Sequence, residues 1–257
     1  MSSYLDSPAP VAFAHRGGSL VAPNVGIENT LAAFEHAVSL GYRHLETDVR
    51  CSADGVVYAC HDETLARLTG NPHSIAELRS TQVDAELLDG REPPTRLETL
   101  LERFPDARFN IDVKTDAALE PTAELLEKND ALDRVCLATF SHRRSLLIRA
   151  RLPGVVTACS AREVAALRYA PWGVVRSLRA LHGRLCVQAP YHRGRITVVT
   201  PSFVRRAHAL GAPVHVWTID DAPVMHRLLD LGVDGIVTDR TDTLRDVLVE
   251  RGDWRAA

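Results

Sequence analysis

The sequence predicts an α/β fold of the (β/α)₈ TIM-barrel type, and three observations lead to this expectation. Eight short apolar runs alternate with longer amphipathic stretches along the 257 residues. This alternation predicts βαβ units and a parallel sheet. Eight such strands in a chain of this length favour a closed barrel over an open doubly wound sheet. No Gly-x-Gly-x-x-Gly motif follows the first strand, which weakens the case for a dinucleotide-binding Rossmann domain.

The predicted elements follow one another with few interruptions. The strands are expected at Val11–His15, His44–Val49, Arg108–Val113, Arg134–Thr139, Gly154–Cys159, Arg184–Gln188, Pro213–Thr218 and Asp234–Thr238. The clearest helical patterns between them cover Asn29–Leu40, Leu97–Phe104, Leu119–Lys128, Ser141–Arg151, Pro201–Leu210 and Ala222–Leu231. Three of these helices are followed by a glycine, which can take the left-handed conformation that ends a helix: Gly41, Gly211 and Gly232.

One stretch, from Arg50 to Pro94, interrupts the alternation between the second and third strands. Within it, Gly55–His61 alternates like a strand after the turn at Ala53-Asp54-Gly55, so we expect a hairpin-like extension followed by an irregular excursion. The sequence has no internal repeat, low-complexity tract or linker. We therefore expect one domain over residues 1–257, with a small insertion at about residues 50–94.

Charge limits the kinds of partner that the protein can have. The formal net charge is −3, which argues against nucleic acid as the main partner. The stretch from Arg143 to Arg206 is rich in arginine and contains a single acid, Glu163. Such a run is typical of solvated helix faces. Alternatively, it forms a basic field that attracts an anionic substrate.

The sequence also favours a cytoplasmic location. Residues Met1 to Pro10 lack the basic start and apolar centre of a secretory signal, and no run of about 18 apolar residues predicts a transmembrane segment. Five cysteines stand singly and form no Cys-x-x-Cys pair, as is typical of reduced thiols: Cys51, Cys60, Cys136, Cys159 and Cys186. Nothing in the sequence indicates an oligomeric state.

The first strand ends in polar residues that suit chemistry on a phosphate. The active sites of TIM barrels lie at the carboxyl ends of the strands. There the first strand leads into His15-Arg16-Gly17-Gly18. Histidine transfers protons near neutral pH, and the arginine fork matches phosphate oxygens. The motif alone is weak, because most such tripeptides lie in surface loops.

The second and third strands carry carboxylates. Glu46 and Asp48 are two residues apart, so they share one face of the second strand, and Asp112 and Lys114 do the same on the third. Neighbouring carboxylates are costly without a cation, and Mg²⁺ and Ca²⁺ prefer oxygen ligands. The alternatives are exposed acids on the second strand and a plain ion pair between Asp112 and Lys114.

Other candidates depend on their neighbours for support. His61 ends the hairpin strand, where it forms a possible acid–base pair with His15. Gln188 ends the sixth strand and is a candidate donor to a substrate oxygen, whereas Trp217 either walls the pocket or packs in the core. Asp239 follows the last strand and either orients a partner or caps a turn. The remaining candidates show no such placement and are expected at the surface: His142, His182, His192, His208 and His226.

Taken in order, these motifs resemble the glycerophosphodiester phosphodiesterase family. The shared pattern comprises His15-Arg16-Gly17, Glu28-Asn29-Thr30, Ala33-Phe34, Gly41, Glu46-x-Asp48-Val49, Asp54-Gly55, His61-Asp62, Leu65, Arg67, Thr69-Gly70, Asn110-Ile111-Asp112-x-Lys114, Val216-Trp217-Thr218 and Asp234-Gly235-Ile236-x-Thr238-Asp239. It spans about residues 11 to 240, and the ordered set is far more specific than any one motif.

The resemblance implies a barrel with an insertion after the second strand. It also implies hydrolysis of glycerophosphodiesters to glycerol 3-phosphate and an alcohol, with a divalent cation, Mg²⁺ or Ca²⁺, as cofactor. The roles implied by position are the acid–base pair for His15 and His61, metal binding for Glu46, Asp48 and Asp112, phosphate contact for Arg16 and Lys114, and pocket lining for Gln188 and Trp217. Water and a neighbouring glycerol hydroxyl both remain open as the nucleophile.

The chain departs from the family pattern in two places. The family usually has Glu where this chain has the shorter Asp112, so the metal is expected to sit differently or to keep an extra water. Pro23 is separated from Glu28 by Asn24-Val25-Gly26-Ile27, an insertion expected to affect substrate access.

Three other functions remain open at this stage. A lysophospholipase D-like activity would require an apolar approach to the site. A non-catalytic barrel that binds a phosphate metabolite would be expected to lack a histidine or a carboxylate, yet both candidate histidines and all three candidate carboxylates are present. A lyase or aldolase would need a Schiff-base lysine in an apolar pocket, whereas Lys114 lies among acids.

Overall fold

The computed structural model describes residues 3–8, 10–181 and 184–255. In this part of the chain, eight parallel strands close into a barrel in which each barrel strand pairs with the next one along the chain. Closure comes from the first strand, Val11–His15, which pairs with the second, His44–Cys51, on one side and with the last, Gly235–Thr238, on the other. The predicted TIM barrel is therefore confirmed.

The barrel strands are β1 Val11–His15, β2 His44–Cys51, β4 Arg108–Val113, β5 Val135–Ala138, β6 Val156–Ala158, β7 Leu185–Pro190, β10 Val214–Trp217 and β11 Gly235–Thr238. Three short strands lie outside the barrel: β3 Val57–Ala59, β8 His192–Arg193 and β9 Ile196–Thr197. β3 runs antiparallel to β2, and β8 and β9 form a separate hairpin that follows β7.

Helices surround the barrel and connect its strands. The α-helices are α1 Leu31–Ser39, α2 Ala66–Thr69, α3 Ser80–Val83, α4 Leu97–Arg103, α5 Leu119–Lys128, α6 His142–Arg151, α7 Ala161–Tyr169, α8 Trp172–Val175, α9 Pro201–His208, α10 Ala222–Asp230 and α11 Thr241–Arg251. The 3₁₀ turns are Ser3–Leu5, Ala22–Asn24, Ile75–Glu77, Leu132–Arg134 and Arg176–Leu181. No helix in the described ranges has both the length and the apolar character needed to cross a membrane.

The strands are buried on both faces, which explains their continuous apolar runs. Inside the barrel, Phe13, Val156 and Val237 form one cluster with Cys136 and Cys186. A larger cluster fills the layer between the strands and the surrounding helices. These two layers hold the strand ends rigidly, and the functional side chains project from those ends.

The predicted elements agree with the structure to within a few residues at each end. The insertion is also confirmed: β3 gives the expected hairpin, and α2, α3 and a 3₁₀ turn fill the rest before α4. Gly41, Gly211 and Gly232 have φ of +98°, +72° and +86°, as expected for helix-ending glycines. The predicted helices did not include α7 or α11, and the β8–β9 hairpin was not foreseen.

Candidate active site

A cavity of about 940 Å³ opens at the carboxyl ends of the barrel strands. All nine residues assigned a role from the sequence line it, namely His15, Arg16, Glu46, Asp48, His61, Asp112, Lys114, Gln188 and Trp217. They come from five different barrel strands or the segments that follow them, and from the insertion. The structure therefore brings together residues that are far apart in the sequence.

His15 forms a dyad with a carboxylate from the last strand. Its Nδ1 lies 2.8 Å from Oδ1 of Asp239, which also accepts a hydrogen bond of 2.7 Å from Ser19 Oγ. Because a carboxylate only accepts, Nδ1 must carry the proton, and Nε2 is left toward the cavity. Burial lowers the pKa of His15, but the negative charges of Glu46 and Asp239 outweigh it and leave the pKa raised.

His61 forms a second dyad at the edge of the insertion. Its Nδ1 lies 2.7 Å from Oδ1 of Asp62, and the other oxygen of Asp62 lies 2.6 Å from Nε of Arg67. Arg67 in turn donates two hydrogen bonds, of 2.9 and 2.7 Å, to the carboxylate of Glu28. The insertion thus orients His61 through Asp62 in the same way that Asp239 orients His15.

Glu28 links the two sides of the cavity mouth. It accepts a hydrogen bond of 3.1 Å from Nη1 of Arg16 as well as the pair from Arg67. Nε of Arg16 lies 3.0 Å from Oδ2 of Asp48. Burial raises the pKa of Glu28, but the hydrogen bonds and charges of the two arginines outweigh it and leave the pKa lowered. Glu28 and Arg67 belong to the family motif, but the sequence assigned them no role.

The loop after β1 depends on its two glycines. Arg16 has φ of +51°, and Gly17 and Gly18 have φ of +85° and +86°. A Cβ on Gly17 would lie 2.7 Å from Cβ of Ala33, so no larger residue fits there. Asn24 Nδ2 donates to the carbonyl oxygens of Gly17 and Gly18 at 2.8 and 3.2 Å. The extra segment 24–27 therefore supports the loop, and none of its residues lines the cavity.

Three buried carboxylates face the cavity from β2 and β4. Asp48 on β2 lies opposite Asp112 on β4 in the strand register, and Glu46 lies two residues before Asp48 on the same face of β2. Nζ of Lys114 lies 2.7 Å from Oδ1 of Asp48 and 2.7 Å from Oδ2 of Asp112. The ion pair between Asp112 and Lys114 that the sequence left open is therefore present, and it extends to Asp48.

The oxygen atoms of these three carboxylates can be compared with the ligands that a divalent cation requires. Glu46 Oε2, Asp48 Oδ2 and Asp112 Oδ1 are buried and take part in no hydrogen bond. Burial raises the pKa of Glu46 to about 7 and also raises that of Asp112 despite the charge of Lys114. At Asp48 burial acts in the same direction, but the charges of Lys114 and Arg16 outweigh it and leave the pKa lowered. Hard oxygen donors of this kind fit Mg²⁺ or Ca²⁺ in chemistry. Within the described residues, however, no three His, Cys, Asp or Glu side chains converge closely enough to hold a metal ion in this arrangement.

Gln188 and Trp217 line the cavity between the carboxylates and its opposite side. Gln188 Nε2 donates to Asn110 Oδ1 at 2.9 Å, and Asn110 Nδ2 donates back at 3.3 Å. The ring of Trp217 packs edge-on against Phe140 with 5.6 Å between centroids. Nζ of Lys114 lies 5.7 Å from the centroid of Phe140. Phe140 and Asn110 are two lining residues to which the sequence assigned no role.

The opposite side of the cavity, here called the far wall, is formed by α7 and the β8–β9 hairpin. Its main residues are Val164, Arg168, Tyr169, His192, Arg193 and Ile196. His192 is exposed, as the sequence predicted, yet it lines the cavity, so treating it as an ordinary surface residue was incomplete. His182 lies outside the described residues. The spacing of Ala161, Val164 and Arg168 along one face of α7 was the only sequence signal for this wall.

Comparison with known proteins places the chain among phosphodiesterases. Residues 15–243 match the glycerophosphoryl diester phosphodiesterase family. A Mycobacterium tuberculosis protein named "Probable glycerophosphodiester phosphodiesterase 2" is 41% identical over 267 aligned positions, which cover 98% of this chain and 99% of that protein.

Solved structures share the fold. A glycerophosphodiester phosphodiesterase from Agrobacterium tumefaciens has a TM-score of 0.76 at 24% identity, covering 93% of this chain and 99% of that one. A phosphodiesterase from Oleispira antarctica in complex with the product sn-glycerol-3-phosphate has a TM-score of 0.78 at 22% identity, covering 97% and 100%.

Proposed function

Because the chain belongs to the glycerophosphoryl diester phosphodiesterase family, we propose that it hydrolyses small glycerophosphodiesters to sn-glycerol 3-phosphate and an alcohol. One observation carries the proposal: two histidines line the same cavity, and each has its Nδ1 held by a carboxylate. Such an arrangement supports two proton transfers on opposite sides of one phosphate. Arg16 and Lys114 line the same cavity and supply positive charge for the phosphoryl oxygens.

The two histidines act as the acid–base pair. One Nε2 removes a proton from the nucleophile as it attacks phosphorus, and the other protonates the oxygen of the departing alcohol. The bond between phosphorus and that oxygen breaks as the new P–O bond forms. Asp239 and Asp62 touch the histidines rather than the substrate, so they are positioning residues that fix the tautomer of His15 and His61.

Glu46, Asp48 and Asp112 would hold a divalent cation, Mg²⁺ or Ca²⁺. Their buried oxygens without hydrogen-bond partners support this assignment. A bound cation would neutralise part of the negative charge on the phosphoryl group. Lys114, which bridges two of these carboxylates, holds them in place from the side of the cavity.

Gln188 and Trp217 would contact the substrate from the remaining strands. Both line the cavity, with Gln188 held by Asn110 and Trp217 by its packing on Phe140. An amide donates to a hydroxyl or phosphoryl oxygen, and an indole ring offers a flat apolar surface. Together they orient the glycerol part of the diester against the catalytic groups.

The whole chain acts as one catalytic domain, and this domain works in the cytoplasm. Strands from Val11 to Thr238 close a single barrel, which supports one domain. All five cysteines are buried free thiols, as is typical of a reducing compartment.

The test is release of glycerol 3-phosphate from glycerophosphoethanolamine and glycerophosphoglycerol by the purified protein, with Mg²⁺, Ca²⁺ or EDTA. We expect release that depends on the metal and that falls roughly 10²–10⁴-fold in His15→Ala and in His61→Ala. Near-normal turnover in both variants would contradict the acid–base assignment. Full activity in EDTA would contradict the metal site while leaving the reaction itself in place.

A second candidate, hydrolysis of lysophospholipids, is favoured by one observation. Val164, Tyr169 and Ile196 give the far wall apolar groups that an acyl chain would contact. The comparison of glycerophosphocholine with its acylated form decides between the two. A kcat/KM that rises with acylation would favour the lysophospholipid, whereas equal or lower values would favour the simple diester.

A further inference from the structure

The far wall lies across the barrel from His15 on β1 and from Glu46 and Asp48 on β2. In the closed strand order, β6 is four strands from β1 in either direction, and β7 is four strands from β2. α7 follows β6, and the β8–β9 hairpin follows β7. A phosphate held near His15 and Glu46 can therefore extend only one of its two ester groups toward the far wall.

Charge is distributed unequally between these two sides. Among the described residues that line the cavity, the only acids are Glu46, Asp48 and Asp112, all on β2 and β4. The far wall has two arginines, Arg168 and Arg193, and no acid.

Among the described residues, no carboxylate lies within ion-pair distance of Arg168 or Arg193, so neither far-wall arginine is neutralised by an acid in that part of the chain. Arg168 is half-buried and donates a hydrogen bond of 3.4 Å to the carbonyl oxygen of Thr197, and its guanidinium lies 4.9 Å from the ring centroid of Tyr169. By contrast, Arg143, Arg144, Arg149 and Arg151 of the same arginine-rich stretch all pair with acids. Among the described arginines of this stretch, Arg168 and Arg193 are the two that line the cavity, which agrees with the alternative of a basic field that the sequence left open.

We propose that the far wall binds the alcohol that leaves, and that Arg168 and Arg193 select against an alcohol with a positive charge. This inference rests on the proposed phosphodiesterase function. Val164, Tyr169 and Ile196 offer apolar contact to the body of the alcohol, while the two guanidinium groups repel a cation. Uncharged and anionic alcohols are therefore the preferred leaving groups, and the quaternary ammonium of choline is disfavoured.

Two substrates of equal shape measure the effect of the positive charge of choline separately from the effect of its size. The 3,3-dimethylbutyl ester of glycerol 3-phosphate has the shape of glycerophosphocholine, but carbon replaces the charged nitrogen. We expect the wild-type kcat/KM to be roughly five- to tenfold higher for the neutral ester at low ionic strength, since the arginines are partly exposed. The difference should lie mainly in KM, because the far wall contacts the alcohol rather than the reacting phosphorus.

Variants then assign the selectivity to the two arginines. In Arg168→Gln combined with Arg193→Gln, the ratio of kcat/KM for the two esters should fall toward one, mainly through better use of the choline ester. The controls are Arg162→Gln on α7 and Arg195→Gln in the hairpin, which remove exposed arginines of the same elements that do not line the cavity. These controls should keep the wild-type ratio.

The outcomes separate this inference from the proposed function. If neither ester is cleaved, both fall. If both esters are cleaved equally well, or if the choline ester is preferred because aromatic rings attract its cation, only the inference falls. A further outcome would also contradict the inference. An acyl chain on the glycerol could lower KM, and Arg168→Gln could change that gain without changing the ratio of kcat/KM for the two esters. The far wall would then contact the glycerol side of the substrate and not the alcohol that leaves.

Discussion

His15 Nδ1 lies 2.8 Å from Asp239 Oδ1, although 224 positions separate the two residues in the chain. The contact depends on closure of the barrel, because β1 and β11 pair directly and Ala14 lies opposite Thr238. The first and last strands therefore supply the two halves of one dyad, so the orientation of His15 depends on a complete barrel.

Replacement of Asp239 by Asn should test the dyad. Asp239→Asn removes the charge but keeps the size, so we expect kcat to fall roughly 10- to 100-fold while KM changes little. Because the carboxylate helps to raise the pKa of His15, its loss should move the limb of the pH–rate profile that reports this histidine to lower pH. Asp246→Asn, an exposed acid on α11, is the matched control. An unchanged profile would mean that Asp239 has only a structural role.

The sequence predicted the strand ends well because the barrel repeats one simple unit. His15, Glu46 and Asp112 each lie on or at the end of an apolar strand, so their position at the mouth follows from the pattern of the chain. The partner of His15 could not be chosen in the same way. Asp239 had the right position, but only the closing register distinguishes a bond to His15 from a turn cap.

The sequence did not predict the residues of the far wall, and the physical reason is different. Arg193 and Ile196 lie in a two-residue-per-strand hairpin that is too short to leave a periodic signal. Arg168 belongs to a helix whose buried face carries the acid Glu163 beside Leu167, which weakens its apolar periodicity. His192 was expected at the surface and is exposed, yet the hairpin folds it to the edge of the cavity. Tertiary placement of irregular segments, rather than local propensity, decides such positions.

Removal of Arg67 should disturb His61 from a distance. Arg67 forms ion pairs with both Asp62 and Glu28. Arg67→Ala should therefore make the carboxylate that orients His61 more mobile, and it should leave Arg16 as the remaining ion-pair partner of Glu28 among the described residues. We expect kcat to fall roughly tenfold, and Arg67→Lys to recover little, since lysine cannot form the two parallel bonds to Glu28. Arg79→Ala, an exposed arginine of the same insertion, should be neutral. Equal kinetics in both variants would show that the contacts of Arg67 with Asp62 and Glu28 do not influence catalysis.

The carboxylate site can be tested by binding as well as by activity. A cation that binds the folded state raises the melting temperature, so titration with Mg²⁺ or Ca²⁺ should stabilise the wild-type protein in a concentration-dependent way. Glu46→Gln should abolish both this stabilisation and the metal-dependent turnover, whereas Glu102→Gln on the exposed side of α4 should keep both. A wild-type melting temperature that no divalent cation changes would argue against the proposed ligands.

Asp112→Glu, which restores the residue usual in the family, gives a second test of that site. The longer side chain adds one methylene beside Lys114, whose Nζ lies 2.7 Å from Asp112 Oδ2. We expect the variant to stay active and to change its apparent metal affinity, measured as the cation concentration for half-maximal turnover. Loss of all activity would mean that the space around Asp112 is fitted to the shorter acid.

The pairing of Glu163 with Arg149 should make the stability of the far wall depend on pH. Glu163 lies in the first turn of α7 and is buried, with its carboxylate 2.6 Å from Arg149 Nη1 and 2.7 Å from the amide nitrogen of Ser160. Burial raises its pKa, but the bonds and charge of Arg149 outweigh this and leave the pKa below its ordinary 4.5. Below about pH 4.5 the unfolded chain therefore binds a proton that the folded chain does not, so the free energy of unfolding falls as the pH is lowered.

Glu163→Gln should remove this dependence. At pH 7 we expect the variant to be less stable by about 3 kcal/mol, because Arg149 is left buried without its charge partner. The difference from wild type should shrink as the pH falls below 4.5, because the unfolded wild-type chain takes up a proton there first and the folded carboxylate follows only at lower pH. Urea unfolding at a series of pH values measures both quantities, with Glu120→Gln, an exposed partner of Arg151, as the control. A stability difference that stays constant from pH 7 to pH 3 would show that packing, and not charge, holds α7 in place.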